Sequence, residues 1–314
     1  MTNPIDFTDR VAIITGAGGG LGRAYALALA ARGAKVVVND LGGDVHGGDV
    51  HGGDGTSSPA QLVVDEILAA GGVATVDGTD ITDEAAVDAL VDAVIDRWGR
   101  IDILINNAGI LRDRSFVKLP ADDFRKVVEV HLMGSVNCTR AVWPHMAEAG
   151  YGRILMTTST SGIYGNFGQS NYGAAKSGLV GLMNVLAIEG VKKDIRVNAI
   201  APTAATRMTE DLLPQRVLDI MGPETIAAGA LFMVSGGAPT KTILGAGAGV
   251  FAVSQMVESR GVFLPADART PEVVAERWNE IADLTNAIPL ESAFEQTSKY
   301  AALAARELGL HLES

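Results

Sequence analysis

Between the apolar run 11–15 and a helical pattern at 21–32 stands the segment Thr15-Gly16-Ala17-Gly18-Gly19-Gly20-Leu21-Gly22, which constrains the fold more than any other stretch. A strand that enters a helix through a glycine-rich turn opens a βαβ unit. The glycines let the backbone approach a pyrophosphate, and the helix N-terminus faces its negative charge. Gly16, Gly20, Leu21 and Gly22 are therefore candidate cofactor contacts. A tight connection without a ligand is the other reading of the same glycines.

The chain then repeats that unit. Short aliphatic runs at 11–15, 35–39, 73–77, 101–106, 153–158 and 195–200 alternate with helical patterns at 21–32, 60–70, 84–98, 121–146 and 172–191. Such alternation predicts an α/β fold, a doubly wound parallel sheet of the Rossmann type. It ends after about residue 206, although 226–234 and 249–257 predict one more helix and further strand structure, and 271–284 and 291–308 close the chain with helices. We read residues 1–235 as a cofactor-binding and catalytic domain and 236–314 as a C-terminal extension. Such a tail is expected to pack on the same domain, at the substrate mouth or a subunit contact.

The charge balance excludes some partners. With 25 basic and 37 acidic residues the net charge is −12, which repels nucleic acid and anionic membrane surfaces. No apolar run approaches the ~18 residues of a membrane span, and the N-terminus lacks a basic-then-apolar signal pattern. The expected location is cytoplasmic, and the ending His311-Leu312-Glu313-Ser314 is no peroxisomal address. The single cysteine, Cys138, lies in a helical pattern and reads as a packed small hydrophobe. The repeat Gly-Gly-Asp-Val-His at 42–46 and 47–51, with a third beginning at 52, reads as a solvated loop. His46 and His51 with the interleaved aspartates are a metal set only if the backbone holds them rigidly, so no metal is expected.

Asp40 ends the run Val36-Val37-Val38-Asn39, about twenty residues after the glycines, where a carboxylate accepts hydrogen bonds from a ribose diol. It repels a 2′-phosphate, and neither Gly19 nor Leu41 supplies a compensating cation, so NAD is expected over NADP. Asn106-Asn107-Ala108-Gly109 comes after the fourth run, at the sheet edge where ligands of such folds bind, which makes Asn107, Ala108 and Gly109 a candidate wall of the cleft. An Asx-rich turn is the plainer alternative. Asp80 and Ile81, after the third run, are expected to face the adenine, with a capping or loop role as the alternative for Asp80.

Tyr172 and Lys176 are four apart at the start of a helix, so a phenol and an ammonium project from one face. A phenol titrates near pH ~10, and a nearby cation favours its anion, so Lys176 is expected to bring Tyr172 toward working pH as a general acid/base. Ser159, thirteen residues upstream and just past a strand, is placed to bond a substrate oxygen, with Ser161 as its competitor. A Tyr-x-x-x-Lys pair alone is common on ordinary helices, and its meaning here comes from the glycine turn and the Asn-Asn-Ala-Gly segment.

Together, Gly16, Gly20, Gly22, Asn106 to Gly109, Ser159, Tyr172 and Lys176 resemble the short-chain dehydrogenase/reductase family over about residues 8 to 235. The segments 38–44, 108–116 and 161–169, extending to 207–210 and to Trp278 in the tail, resemble the branch serving as the dehydrogenase part of type 2 multifunctional β-oxidation enzymes. The resemblance implies Ser159, Tyr172 and Lys176 as catalytic residues, NAD as cofactor, and oxidation of a (3R)-3-hydroxyacyl-CoA to the 3-ketoacyl-CoA. The chain's length leaves no room for the hydratase and sterol-carrier parts, so it is expected to act alone. Where many family members carry a site asparagine, this chain has His131, with a proton-relay or a structural role open.

The same branch resembles 17β-hydroxysteroid dehydrogenases, and Ile110, Leu111, Ile163, Tyr164 and Phe167 suit a steroid or a fatty chain equally. Arg112, Arg114, Lys118 and Arg207 would serve a CoA entrance or stay solvated. An NAD-binding protein without turnover is the remaining alternative. The apolar breadth of 121–146 and 172–191, with the family resemblance, implies a homodimer or homotetramer.

Overall fold

The computed structural model describes residues 4–43, 58–204 and 214–311. Its centre is an eight-stranded sheet in the order β3-β2-β1-β4-β5-β6-β7-β8. The strands are β1 (Val11–Thr15), β2 (Lys35–Asn39), β3 (Val73–Asp77), β4 (Ile103–Asn106), β5 (Gly152–Thr157), β6 (Ile195–Thr203), β7 (Ile243–Gly247) and β8 (Val250–Ser254). All pairings from β3 through to β7 are parallel. Strands covered on both faces need no alternation of polar and apolar residues, and β1, β4 and β5 are buried at every position.

The helices form two layers. On one face α1 (Gly20–Ala30), α2 (Pro59–Ala69) and α9 (Glu224–Met233) pack against Ile14, Val36 and Ile105. On the other, α3 (Glu84–Trp98), α5 (Gly134–Ala149) and α7 (Ser170–Glu189) cover Ile13, Leu104 and Met156. The short helices α4 (Ala121–Val128), α6 (Thr160–Tyr164) and α8 (Gln215–Leu218) complete this unit. Side-chain caps mark several helix starts: Ser58 accepts from Gln61 N at 3.2 Å with Pro59 next to it, and Asp83 accepts from Ala86 N at 3.1 Å. Strand order reverses between β1 and β4, and that switch point opens a crevice at the carboxyl ends of these two strands.

Three expectations need correction. The helix expected over 121–146 is broken: α4 and α5 are joined by the π-helical stretch Glu129–Met133, which carries His131. The boundary expected at 235 falls inside a compact unit that runs to Val253. The reason is β7, which pairs with β6, and β8, which comes next across Ala248 (φ +50°) and Gly249 (φ +76°). Two left-handed residues are the geometry of a tight hairpin, so β8 returns antiparallel to β7. Finally, the helix expected over 271–284 is two short ones, α10 (Pro271–Glu276) and α11 (Trp278–Ile281).

The second unit is Ser254–Ser314. In it β9 (Val257–Glu258) pairs antiparallel with β10 (Ile288–Pro289), and α12 (Ala293–Leu308) begins at a Ser292 cap. Lys299 holds Glu258 and the Ser259 carbonyl, each at 2.5 Å. Among the described residues no helix is long and apolar enough to cross a membrane.

Candidate active site

The glycine turn is built by close packing. Gly16 has φ +62°, and a Cβ there would lie 2.7 Å from Ala108 Cα, while one on Gly22 would lie 2.3 Å from the Gly16 carbonyl oxygen. The turn is braced from β4: Asn107 Nδ2 donates to the carbonyls of Thr15 and Gly16, each at 3.0 Å. Thr15 Oγ1 accepts the backbone N–H groups of Asn107 at 3.0 Å and Ala108 at 3.1 Å. Asn107 thus shapes the wall through its side chain. Thr15 is a site residue that sequence reasoning misses, although one hydroxyl closing the otherwise apolar run Val-Ala-Ile-Ile-Thr is its signal.

Asp40 stands beside this turn. Its Oδ2 accepts Gly18 N–H and its Oδ1 accepts Gly42 N–H, both at 2.8 Å. The N-cap of helix α1 is Gly19, which has no side chain to accept the first N–H groups of the helix. An uncapped helix start with a carboxylate at the end of the next strand fits a dinucleotide's pyrophosphate and ribose diol. Asp80 Oδ1 accepts Thr82 N at 2.9 Å and Thr82 Oγ1 at 2.8 Å, the loop engagement weighed as its alternative. Ile81 is buried, and its carbonyl accepts Asn137 Nδ2 at 3.0 Å. The repeat loop that carries His46 and His51, and Arg207 to Glu210, lie outside the described residues.

The three polar residues expected at the chemical centre come together. Ser159 follows β5 by two residues and caps α6, and its hydroxyl stands near enough to the Tyr172 phenol to favour its ionised form. Ser161 Oγ is instead committed to Gln169 Oε1 at 2.6 Å. Lys176 is 3% exposed, and its Nζ donates to the Thr157 carbonyl at 2.5 Å. The ammonium lies 5.5 Å from the Tyr172 ring centroid, over its face.

Burial dominates the electrostatics of this pair. Burial raises the Tyr172 phenol above its usual value, the Ser159 hydroxyl opposes this, and the charge of Asp113 adds to it. Burial also lowers Lys176 to about 7. The ammonium lies over the ring face, tethered to the Thr157 carbonyl.

His131 packs against this centre. Its ring meets that of Tyr172 edge to face, with centroids 5.1 Å apart. Nε2 lies 3.0 Å from Ile110 N and 2.7 Å from Ile110 O, so it can accept from the one or donate to the other according to tautomer. A Cβ on Gly109 would lie 2.1 Å from His131 Cε1, which is why only glycine fits there. Burial first, and then the charge of Lys176, lower the imidazole well below its ordinary value and keep it neutral. Cys138 is buried in the core, its thiol pushed up to about 12 by burial, and behaves as the packed hydrophobe expected.

Around the mouth, Ile110 is buried, whereas Phe116, Tyr164 and Phe167 are largely exposed. Arg112 is paired with Asp123 at 2.5 Å, which leaves Arg114 and Lys118 as exposed cations among the described residues of the set expected at a CoA entrance.

Comparison with known proteins agrees with this geometry. The short chain dehydrogenase family model matches residues 10–216. The chain is 47% identical over 286 residues to the peroxisomal hydratase-dehydrogenase-epimerase of Saccharomyces cerevisiae, covering 90% of this chain and 31% of that protein. It is 46% identical over 305 residues to the peroxisomal multifunctional enzyme type 2 of Mus musculus, covering 95% and 40% respectively. The chain therefore spans well under half the length of these two relatives. The full-length type 2 enzyme of Drosophila melanogaster superposes with TM-score 0.80 at 37% identity, over 96% of this chain and 50% of that one. A 7α-hydroxysteroid dehydrogenase solved with NADH and 7-oxo glycochenodeoxycholic acid gives TM-score 0.69 at 32% identity, over 79% and 98%. On the family match, these identities and the shared fold, the chain belongs to the short-chain dehydrogenase family, as an oxidoreductase acting on CH–OH groups.

Proposed function

We propose that this chain oxidises the 3-hydroxyl of a (3R)-3-hydroxyacyl-CoA to the ketone with NAD. The observation that carries the reading is the meeting of Ser159, Tyr172 and buried Lys176 beside a glycine turn flanked by Asp40. The multifunctional relatives support the substrate class, and the neighbour solved with NADH supports a nicotinamide cofactor. Gly16, Gly20, Leu21, Gly22 and Asp40 would hold the pyrophosphate and ribose, Asp80 and Ile81 the adenine side, and Asn107, Ala108 and Gly109 the inner wall. Bound NAD supplies the hydride acceptor.

The chain's own residues manage the proton. Ser159 Oγ holds the substrate oxygen, and the Tyr172 hydroxyl oxygen, ionised for this direction, takes the proton that the alcohol releases. Lys176, anchored on Thr157, stabilises the phenolate through its charge. A raised phenol makes oxidation faster as pH rises.

A 17β-hydroxysteroid is the competing substrate, since exposed Tyr164 and Phe167 suit a ring system as well as an acyl chain. The test is NADH formation from NAD with a series of (3R)-3-hydroxyacyl-CoA thioesters and, separately, a 17β-hydroxysteroid, each repeated with Tyr172→Phe. Acyl-CoA turnover that the substitution abolishes is the expected result. Turnover of the steroid alone rejects the CoA reading.

The proposal extends to assembly and compartment. Val185 and Ile188 stand three apart on one face of α7 and are more than half exposed, as is Val191 just past the helix, and a homodimer or homotetramer contact would require such an exposed apolar surface. Light scattering on the purified chain tests this, and a lone 32.6 kDa species rejects it. The proposed compartment is cytoplasmic, whereas the named relatives are peroxisomal, and organelle fractionation separates the two.

A further inference from the structure

The backbone between Ser159 and Tyr172 carries a line of polar groups that leads away from the chemical centre. Ser161 N–H donates to Ser159 Oγ at 3.1 Å. Ser161 Oγ donates in turn to Gln169 Oε1 at 2.6 Å, an oxygen that also accepts Asn166 Nδ2 at 3.1 Å. The other end of that amide, Gln169 Nε2, donates to Asp113 Oδ2 at 2.6 Å. A carboxylate only accepts, so Asp113 fixes which end of the amide faces it, and Oε1 is left for Ser161.

Asp113 lies in the loop just after the Asn107 to Gly109 wall, and two more bonds tie this loop to the same backbone. Arg114 N donates to the Gly168 carbonyl at 2.9 Å, and the buried Asn171 donates through Nδ2 to the Arg112 carbonyl at 3.0 Å. Gln169 is the residue immediately before α7, the helix that carries Tyr172 and Lys176.

We propose that Ser161, Gln169 and Asp113 form a positioning chain that sets the direction of Ser159 Oγ and locks the wall loop to the catalytic helix. The proposal rests on the reading of Ser159 and Tyr172 as catalytic residues. None of the three touches the reacting atoms. Ser159 Oγ has one proton and two lone pairs, and the Ser161 amide occupies one lone pair. The rest of the hydroxyl is thereby aimed at Tyr172 and the substrate oxygen. The Ser161 amide holds that direction only while Gln169 holds Ser161.

Charge gives the chain a signature that packing alone would not have. Tyr172 is faced by Asp113 from the wall loop, Lys176 from its own helix, neutral His131 from the π-helical stretch and uncharged Ser159. Asp113 is the one anion in this set, and it opposes ionisation of the phenol.

The test is a charge-swap cycle, measured on whichever secondary alcohol the parent enzyme turns over, with Ser159→Ala as control. Gln169→Glu sets a second carboxylate against Asp113, and kcat falls about tenfold or more with KM changed less than about threefold, as misplacement of a reacting group would produce. This loss relaxes as pH falls, because the introduced carboxyl, once protonated, again donates to Asp113. Asp113→Asn alone costs less than about threefold and moves the rise of kcat with pH to lower pH, because the anion near Tyr172 is gone. The double variant restores a donor facing an acceptor and returns kcat to within about threefold of the parent. Ser161→Ala, which keeps the amide but loses the hydroxyl, falls between parent and Gln169→Glu.

A double variant no better than Gln169→Glu, or parental kcat in Gln169→Glu at all pH values, overturns the positioning chain while leaving Ser159 and Tyr172 in place. Parental turnover in Ser159→Ala instead overturns the catalytic reading, and the chain with it.

Discussion

Asp40 braces the turn and, on the proposed function, would also receive the ligand. Its two oxygens hold the N–H groups of Gly18 and Gly42, and with a dinucleotide bound the carboxylate would meet the phosphate or diol of its ribose. Asp40→Asn keeps an acceptor but loses the charge. The expected outcome is weaker NAD binding and a preference over NADP reduced by about tenfold, roughly 1.4 kcal/mol, read from kcat/KM for both cofactors. Lys176 makes a second prediction, on stability. Its folded value near 7 lies below the unfolded lysine's 10.5. A depressed value contributes stability that is fully present above 10.5 and is lost as pH falls through 7. Between these limits the unfolded chain binds more protons, so denaturation midpoints should climb with pH in the parent and climb less in Lys176→Met. Identical slopes in the two proteins would contradict the burial that the structure gives this lysine. The pair itself was legible from its i, i+4 spacing. Its electrostatics were not, because desolvation depends on what covers the residues, and spacing carries no information about cover.

At the scale of elements, most strands and helices were readable because parallel strands buried on both faces leave continuous aliphatic runs. The break in the long helix was not. A π-helical stretch shifts phase by a fraction of a turn, too little to disturb an apolar pattern over 121–146, yet it seats His131 against Gly109 and Tyr172. The β7–β8 hairpin was also missed, since Ala248-Gly249 lacks the Asn-Gly signal. Ala248 takes φ +50°, a conformation that alanine adopts at a cost and asparagine tolerates better. Ala248→Asn should therefore raise thermal stability by about 0.5–1 kcal/mol without altering kinetics. A lower melting temperature would show that the turn does not carry that strain.

Across the whole molecule, the rim opposite the site is held by one buried cation. Arg153 on β5 is 1% exposed, and its guanidinium donates to the carbonyls of Ser235 at 3.0 Å, Gly152 at 2.7 Å and Asp194 at 2.6 Å, and to the Asp194 carboxylate at 3.0 Å. Ser235 lies just past α9 of one helix layer, and Asp194 just past α7 of the other, so this residue joins both layers beneath the sheet. Arg153→Met should lower stability by roughly 3 kcal/mol, seen as a reduced urea midpoint, because buried carbonyls lose their donors. An unchanged midpoint would mean that those carbonyls find other donors. The sequence by itself determined the doubly wound sheet, the glycine turn between β1 and α1 and the pairing of Tyr172 with Lys176 on one helix face, because periodicity and local spacing follow directly from backbone geometry. Only the tertiary structure decided that Ser159 rather than Ser161 meets Tyr172, that His131 is buried and neutral, and that the first unit runs on to Val253. Each of these depends on contacts between segments far apart in the chain, which no local pattern encodes.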